Sequence, residues 1–163
     1  MSAVLRVSLM ALTVITGQPS VMSASVTSAV EQAIEPISTP YVMLGSDERL
    51  RRLVDAFYDR MDSLPTSHAL RAMHAADLGP MREKLFDFLS SWLGGPDRYF
   101  VRPDAKCMGS AHAPFDIDAA SSAAWLGCMR QALDDIGAPE DFRALVMPAF
   151  ERMARAMIRR PMP

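Results

Sequence analysis

The sequence predicts an all-α domain of four main helices arranged as two antiparallel pairs. From Thr39 onward, apolar residues recur at steps of three and four, and no run keeps the strict alternation of a strand. Two abrupt stops, Gly94-Gly95-Pro96 and Gly137 ahead of Pro139, divide that pattern into separate helices.

The first helix is expected to be capped by Ser46, with Asp47 and Glu48 in its first turn. Leu50, Leu53, Val54, Phe57, Tyr58 and Met61 form its buried stripe, and it ends near Pro65. A short helical corner piece follows over residues 66–73. The second long helix carries Leu78, Met81, Leu85, Phe88, Leu89 and Trp92 and halts at Gly94. Residues 96–118, broken by prolines 96, 103 and 114, are too irregular for a long helix and contain His112. Asp118 can cap the third helix, which bears Ala124, Trp125, Cys128, Met129, Ala132, Leu133 and Ile136. Pro139, in a first-turn position, opens the fourth, with Phe142, Leu145, Val146, Phe150, Met153 and Met157 on its stripe and a kink expected at Pro148. The short connection between these last two makes them antiparallel neighbours.

At 163 residues the chain suits one core, expected over residues 39–160. Seventeen basic against nineteen acidic residues leave a charge of -2, which draws in neither nucleic acid nor an anionic membrane. Residues 1–38 hold only Arg6, Glu31 and Glu35 as charges. They read as a disordered extension or an upstream start in preference to an export signal, because Ser8 and Thr13 interrupt the apolar run and no clean small-x-small site follows. The expected compartment is cytoplasmic, or exported if that leader is a working signal. Cys107 and Cys128 form neither a disulfide framework nor a C-x-x-C pair, and Cys107 lies too alone near His112 to argue a shared metal site.

Read from the residues alone, an ordinary four-helix bundle fits, and a single histidine in a connector is a weak metal ligand. There is no E-x-x-H cluster for a di-iron centre, no phosphate loop and no triad. The run Lys84-Leu85-Phe86, then Phe88-Leu89-Ser90-Ser91-Trp92-Leu93-Gly94-Gly95-Pro96 and Tyr99, is followed by Ala111-His112-Ala113-Pro114-Phe115 and Trp125-Leu126-Gly127-Cys128-Met129. His112 lies sixteen residues after Pro96, and Trp125 thirteen after His112. In this order and spacing, and with Phe57-Tyr58 and Met73-His74 upstream, the chain resembles the group II truncated haemoglobins over about residues 39–158.

The resemblance implies a two-over-two globin fold enclosing a b-type haem, with a pentacoordinate iron held through Nε2 of His112 and the other ring nitrogen donating to a nearby acceptor. It places Tyr58, His74 and Trp125 around a diatomic ligand (oxygen, nitric oxide or carbon monoxide), with His74 as donor or proton relay and Met81 and Leu85 as steric walls. Lys84 matches a position that pairs with a haem propionate, and Phe88, Tyr99 and Phe115 would line the cofactor; His68 has no role. Many members carry a Gly-His-Pro-Arg-like stretch before the proximal histidine. Here residues 104–111 replace it, leaving Arg102 or Lys106 as substitutes for the arginines. The implied activity is ligand binding or oxygen transport, served by an unidentified reductase. The alternatives are a haem oxidoreductase, acting as a nitric oxide dioxygenase or weak peroxidase, and a haem-free helical interaction module.

Overall fold

The computed structural model describes residues 38–158, and every regular element among them is helical. In chain order these are α1 (Pro40–Leu44), α2 (Ser46–Ser63), a 3-10 turn (Pro65–Ser67), α3 (His68–Ala72), α4 (Gly79–Trp92), α5 (Met108–His112), α6 (Ala119–Asp135) and α7 (Glu140–Ala156). The leader expected over residues 1–38 lies, apart from Ser38, outside the described residues. No helix among the described residues is long and apolar enough to cross a membrane.

The four long helices α2, α4, α6 and α7 match the expected four, and the expected pairs α2 with α4 and α6 with α7 are in contact. The broadest interface, however, joins the pairs, where α2 crosses α6. Leu50, Leu53, Val54, Phe57 and Met61 of α2 are buried there together with Cys128, Met129, Ala132 and Leu133 of α6, each at most 1% exposed. This apolar contact is the main cohesive term, at roughly 25 cal/mol per Å² removed from water. Arg49 of α2 fastens the crossing by donating from Nη2 to the Ile136 and Gly137 carbonyls, both at 2.9 Å, which satisfies acceptors that the end of α6 leaves open.

Three local expectations are corrected. Ser46 does not cap α2: α1, capped by Thr39, ends on left-handed Gly45, so Gly45 takes the cap position and Ser46 enters the helix at φ 80 with no side-chain cap bond. Pro139 is the N-cap residue of α7, with an extended ψ of 142, and not its first helical residue. Leu145 is 52% exposed, on the solvent side of α7. Pro148 sits inside a helix that continues to Ala156; the missing amide costs one hydrogen bond without ending it. Asp118 does cap α6, accepting from the Ser121 amide at 2.7 Å.

The stop after α4 is a packing requirement as well as a turn. A side-chain carbon on Gly95 would lie 2.4 Å from a ring carbon of Tyr41. Tyr41 is in turn held by Asp47, which Arg98 grips through both nitrogens of its fork, at 2.9 and 2.6 Å.

Candidate functional site

The end of α4 builds the segment that carries His112. Ser91 Oγ accepts from the amides of Arg98 at 2.9 Å and Tyr99 at 3.0 Å, and Ser90 Oγ donates to the Pro96 carbonyl at 2.8 Å. These bonds pull the chain back over α4 and bury Tyr99, whose hydroxyl donates to the Lys106 carbonyl at 2.9 Å. The following turn is α5, and His112 closes it. Nδ1 of His112 lies 2.8 Å from the Met108 carbonyl, so it carries the hydrogen and Nε2 keeps a lone pair.

Tyr58 of α2 is 3% exposed, and its hydroxyl reaches the Met81 carbonyl at 3.3 Å, long for a phenol donor and therefore weakly committed. Burial pushes its phenol up to about 12, opposed by the nearby Arg82 guanidinium, so Tyr58 is a donor throughout the neutral range. Stability should accordingly fall as pH rises from about 10 to about 12. Across that window the unfolded phenol has lost its proton while the folded one keeps it, so the unfolded state binds fewer protons. The gap from the ordinary value of 10.0 is worth roughly 2–3 kcal/mol. Urea midpoints at about pH 9 and about pH 11.5 check this, because Tyr58→Phe should remove that part of the pH dependence.

Trp125 of α6 is half-buried, with its ring 5.3 Å from Phe57 and 5.6 Å from Phe150, and its indole N–H has no hydrogen-bond partner among the described residues. His74, just beyond α3, faces Tyr58 edge-on at 6.2 Å between ring centroids. Its Nδ1 lies 2.9 Å from the Leu70 carbonyl and so bears the hydrogen. Neutral His74 therefore offers an acceptor at Nε2, and the donor expected there exists only on the protonated ring.

One cavity of about 490 Å³, lined mainly by apolar atoms, brings all of these together. Tyr58, His74, Met81, Lys84, Leu85, Phe88, Tyr99, His112, Phe115 and Trp125 all line it. Met81 and Leu85, one turn apart on α4, form adjacent apolar wall, Phe88 and Tyr99 meet edge-to-face at 5.4 Å, and Lys84 and Phe115 are exposed and so lie at its edge. Arg102 and Lys106 do not line it; Arg102 is engaged with Asp87 at 2.9 Å and Asp104 at 3.2 Å. Exposed His68 lies outside the cavity, and the Cys107 thiol is 3.1 Å from Ser110 Oγ. The sequence reading missed the contribution of α7, where Phe150 and Met153, with Met157 just past the helix end, close the cavity, and that of Ser121 and Ser122 on α6. The α7 stripe carries an apolar signal that does not distinguish protein from cavity; the serines carry none.

Residues 39–159 match the family model described as bacterial-like globin. The chain belongs to the bacterial-like globins. Within them it stands with the group II truncated haemoglobins. It is 33% identical to a group 2 truncated haemoglobin of Bacillus subtilis over 124 residues, covering 76% of this chain and 91% of that protein. Among solved structures it is similar to the group II two-on-two haemoglobin of Agrobacterium tumefaciens, with a TM-score of 0.73, 31% identity, and 78% of this chain and 98% of that one covered. It is also similar to the cold-adapted truncated haemoglobin of Pseudoalteromonas haloplanktis, with a TM-score of 0.72, 32% identity, and 76% and 99% covered. A truncated oxygen-avid haemoglobin from Bacillus subtilis aligns with a TM-score of 0.68 and 34% identity over 74% of this chain and 99% of that one.

The donor set of this globin fits the cofactor its family implies. A bare metal ion needs three or more side-chain ligands, and no group of three His, Cys, Asp or Glu is placed for one among the described residues. A haem brings its own four nitrogens and asks the protein for an axial imidazole and an apolar cleft. His112 Nε2 would serve as the first and the cavity as the second, with the Lys84 ammonium at its edge for a carboxylate.

Proposed function

We propose that this globin holds a b-type haem through His112 Nε2 and binds oxygen or another diatomic gas within the cavity. The observation that carries it is the His112 ring, whose Nδ1–H is tied to the Met108 carbonyl so that Nε2 is a ready lone pair in an apolar cavity. When bound, haem would supply an iron able to accept a diatomic ligand.

The residues divide the remaining work. His112 fixes the cofactor's orientation, because its tautomer and its place at the end of α5 are set by the backbone bond. Phe88, Tyr99 and Phe115 give it apolar contact, and Lys84 offers a charge to a propionate at the edge. Met81 and Leu85 keep water from the ligand position. Tyr58 and Trp125 present O–H and N–H groups where a partial negative charge on the gas is to be stabilised, and the low-polarity surroundings strengthen those bonds.

Titration of the purified chain with haemin should give a sharp Soret band at one equivalent. A folded chain that develops none refutes the proposal and favours a haem-free module. In the loaded protein, Trp125→Phe should leave haem in place but speed oxygen dissociation by about fivefold to thirtyfold, the loss of one hydrogen bond of about 1–2 kcal/mol. Stopped-flow dissociation measures it, and an unaltered rate removes Trp125 from the ligand-stabilising set.

A further inference from the structure

Tyr58 lines the cavity, and a charge stands against its ring from outside. Arg82 of α4 is not part of the cavity lining, yet its guanidinium carbon lies over the Tyr58 ring, 5.5 Å from the centroid. The fork is held along α2 on both sides of that tyrosine. Nη1 donates to the Asp55 carbonyl at 2.8 Å and to Asp55 Oδ1 at 3.2 Å, three residues before Tyr58. Nη2 donates to Asp59 Oδ1 at 2.7 Å, one residue after it. The Met81 carbonyl accepts the Tyr58 hydroxyl at 3.3 Å, so two consecutive residues of α4 grip the phenol, one at its oxygen and one over its ring.

The Arg82 side chain is 22% exposed, against 47% for Asp55 and 70% for Asp59. Water therefore screens the two carboxylates more than it screens the guanidinium. The field that reaches Tyr58 from Arg82 is positive and opposes the effect of burial on its phenol. A positive charge beside a phenol draws electron density from the oxygen and makes the O–H a stronger donor. We infer that Arg82 is a positioning residue for the gas site: it fixes the Tyr58 ring and polarises its hydroxyl, so the hydrogen bond offered to bound gas is tuned from outside the cavity. Asp59 moderates that field with the opposite sign. The inference rests on the haem proposal above and adds to it a residue that touches neither cofactor nor ligand.

The test is the carbon–oxygen stretching frequency of the carbon monoxide complex of the full haem-loaded chain, read by infrared absorption beside the oxygen dissociation rate. A stronger donor at the gas lowers that frequency and slows dissociation. Arg82→Gln should raise the frequency and speed dissociation by about threefold to tenfold, the scale of a partly shielded cation against an aromatic ring. Asp59→Asn leaves the guanidinium bonded to Asp55 and removes an opposing charge, so it should move both readings the other way. A role in holding the fold alone would move them in one direction in both variants, because each breaks the same ion pair. In a Tyr58→Phe background neither substitution should alter them. The inference is overturned if Arg82→Gln changes nothing, if the two variants shift the readings in the same direction, or if the Arg82→Gln effect persists in Tyr58→Phe. Each of those outcomes leaves the haem proposal standing. Should Arg82→Gln not fold, Asp59→Asn alone decides: a lower frequency supports the inference, and an unchanged or higher one overturns it. Absence of any Soret band refutes both proposals.

Discussion

His112→Ala is expected to cost the protein its haem. The other nearby imidazole, His74, shares the cavity, but its backbone tether keeps it on the Tyr58 side, so it cannot stand in for His112. Changes in groups that merely orient a metal-bound histidine already cost about tenfold to a hundredfold in affinity. Removing the ligand itself should exceed that, so haem should pass to excess apomyoglobin within the time of a transfer assay. The fold should survive, because the His112 side chain is only half-buried and its one polar bond returns to its own short helix. Far-UV circular dichroism should be unchanged, and free imidazole, which fits the space vacated, should restore the Soret band. A variant with full haem occupancy and an unaltered spectrum would show that His112 is not the ligand.

Phe57→Ala should be the most damaging of the core substitutions around the site. Phe57 is 1% exposed and its ring lies 5.0 Å from Tyr58 and 5.3 Å from Trp125, so it supports two of the proposed ligand-stabilising groups from behind without lining the cavity. Truncating a buried phenylalanine costs about 3–5 kcal/mol through lost burial and the void left behind. For a domain of this size that is a fall of roughly 10 °C or more in the thermal midpoint. Ligand dissociation should quicken as well, because both donors lose a wall that fixes their rotamers. Phe57→Leu keeps most of the volume and should recover most of the stability. Equal stability of Phe57→Ala and the unmodified chain, by urea denaturation, would show that the α2 and α6 crossing does not depend on this ring.

Helix order, the stop at Gly94-Gly95 and the Asp118 cap were legible because each rests on interactions within a few residues of chain. The cap at Gly45 was not, since it follows from a preceding helix that the Ser46 signal did not reveal. Met81, Leu85 and Phe88 were legible as an apolar face, but periodicity cannot tell whether such a face meets protein or a cavity. For the same reason, periodicity does not mark Met153 of α7 or Met157 at its end as cavity lining.

The ten positions named around the site were reached from the spacing of a recognisable family pattern, and from composition and periodicity only the helices followed. What the linear order determined was therefore the all-α class, the family, and the residues that share a site. Tertiary structure decided how those residues are electronically presented. The Met108 and Leu70 carbonyls assign the hydrogen of each histidine to Nδ1, and Arg102 is taken up by Asp87 and Asp104 away from the cavity. Burial keeps Tyr58 protonated to about 12. Each of these depends on which acceptor or charge lies within hydrogen-bond reach in three dimensions, and residue type and spacing do not encode that distance.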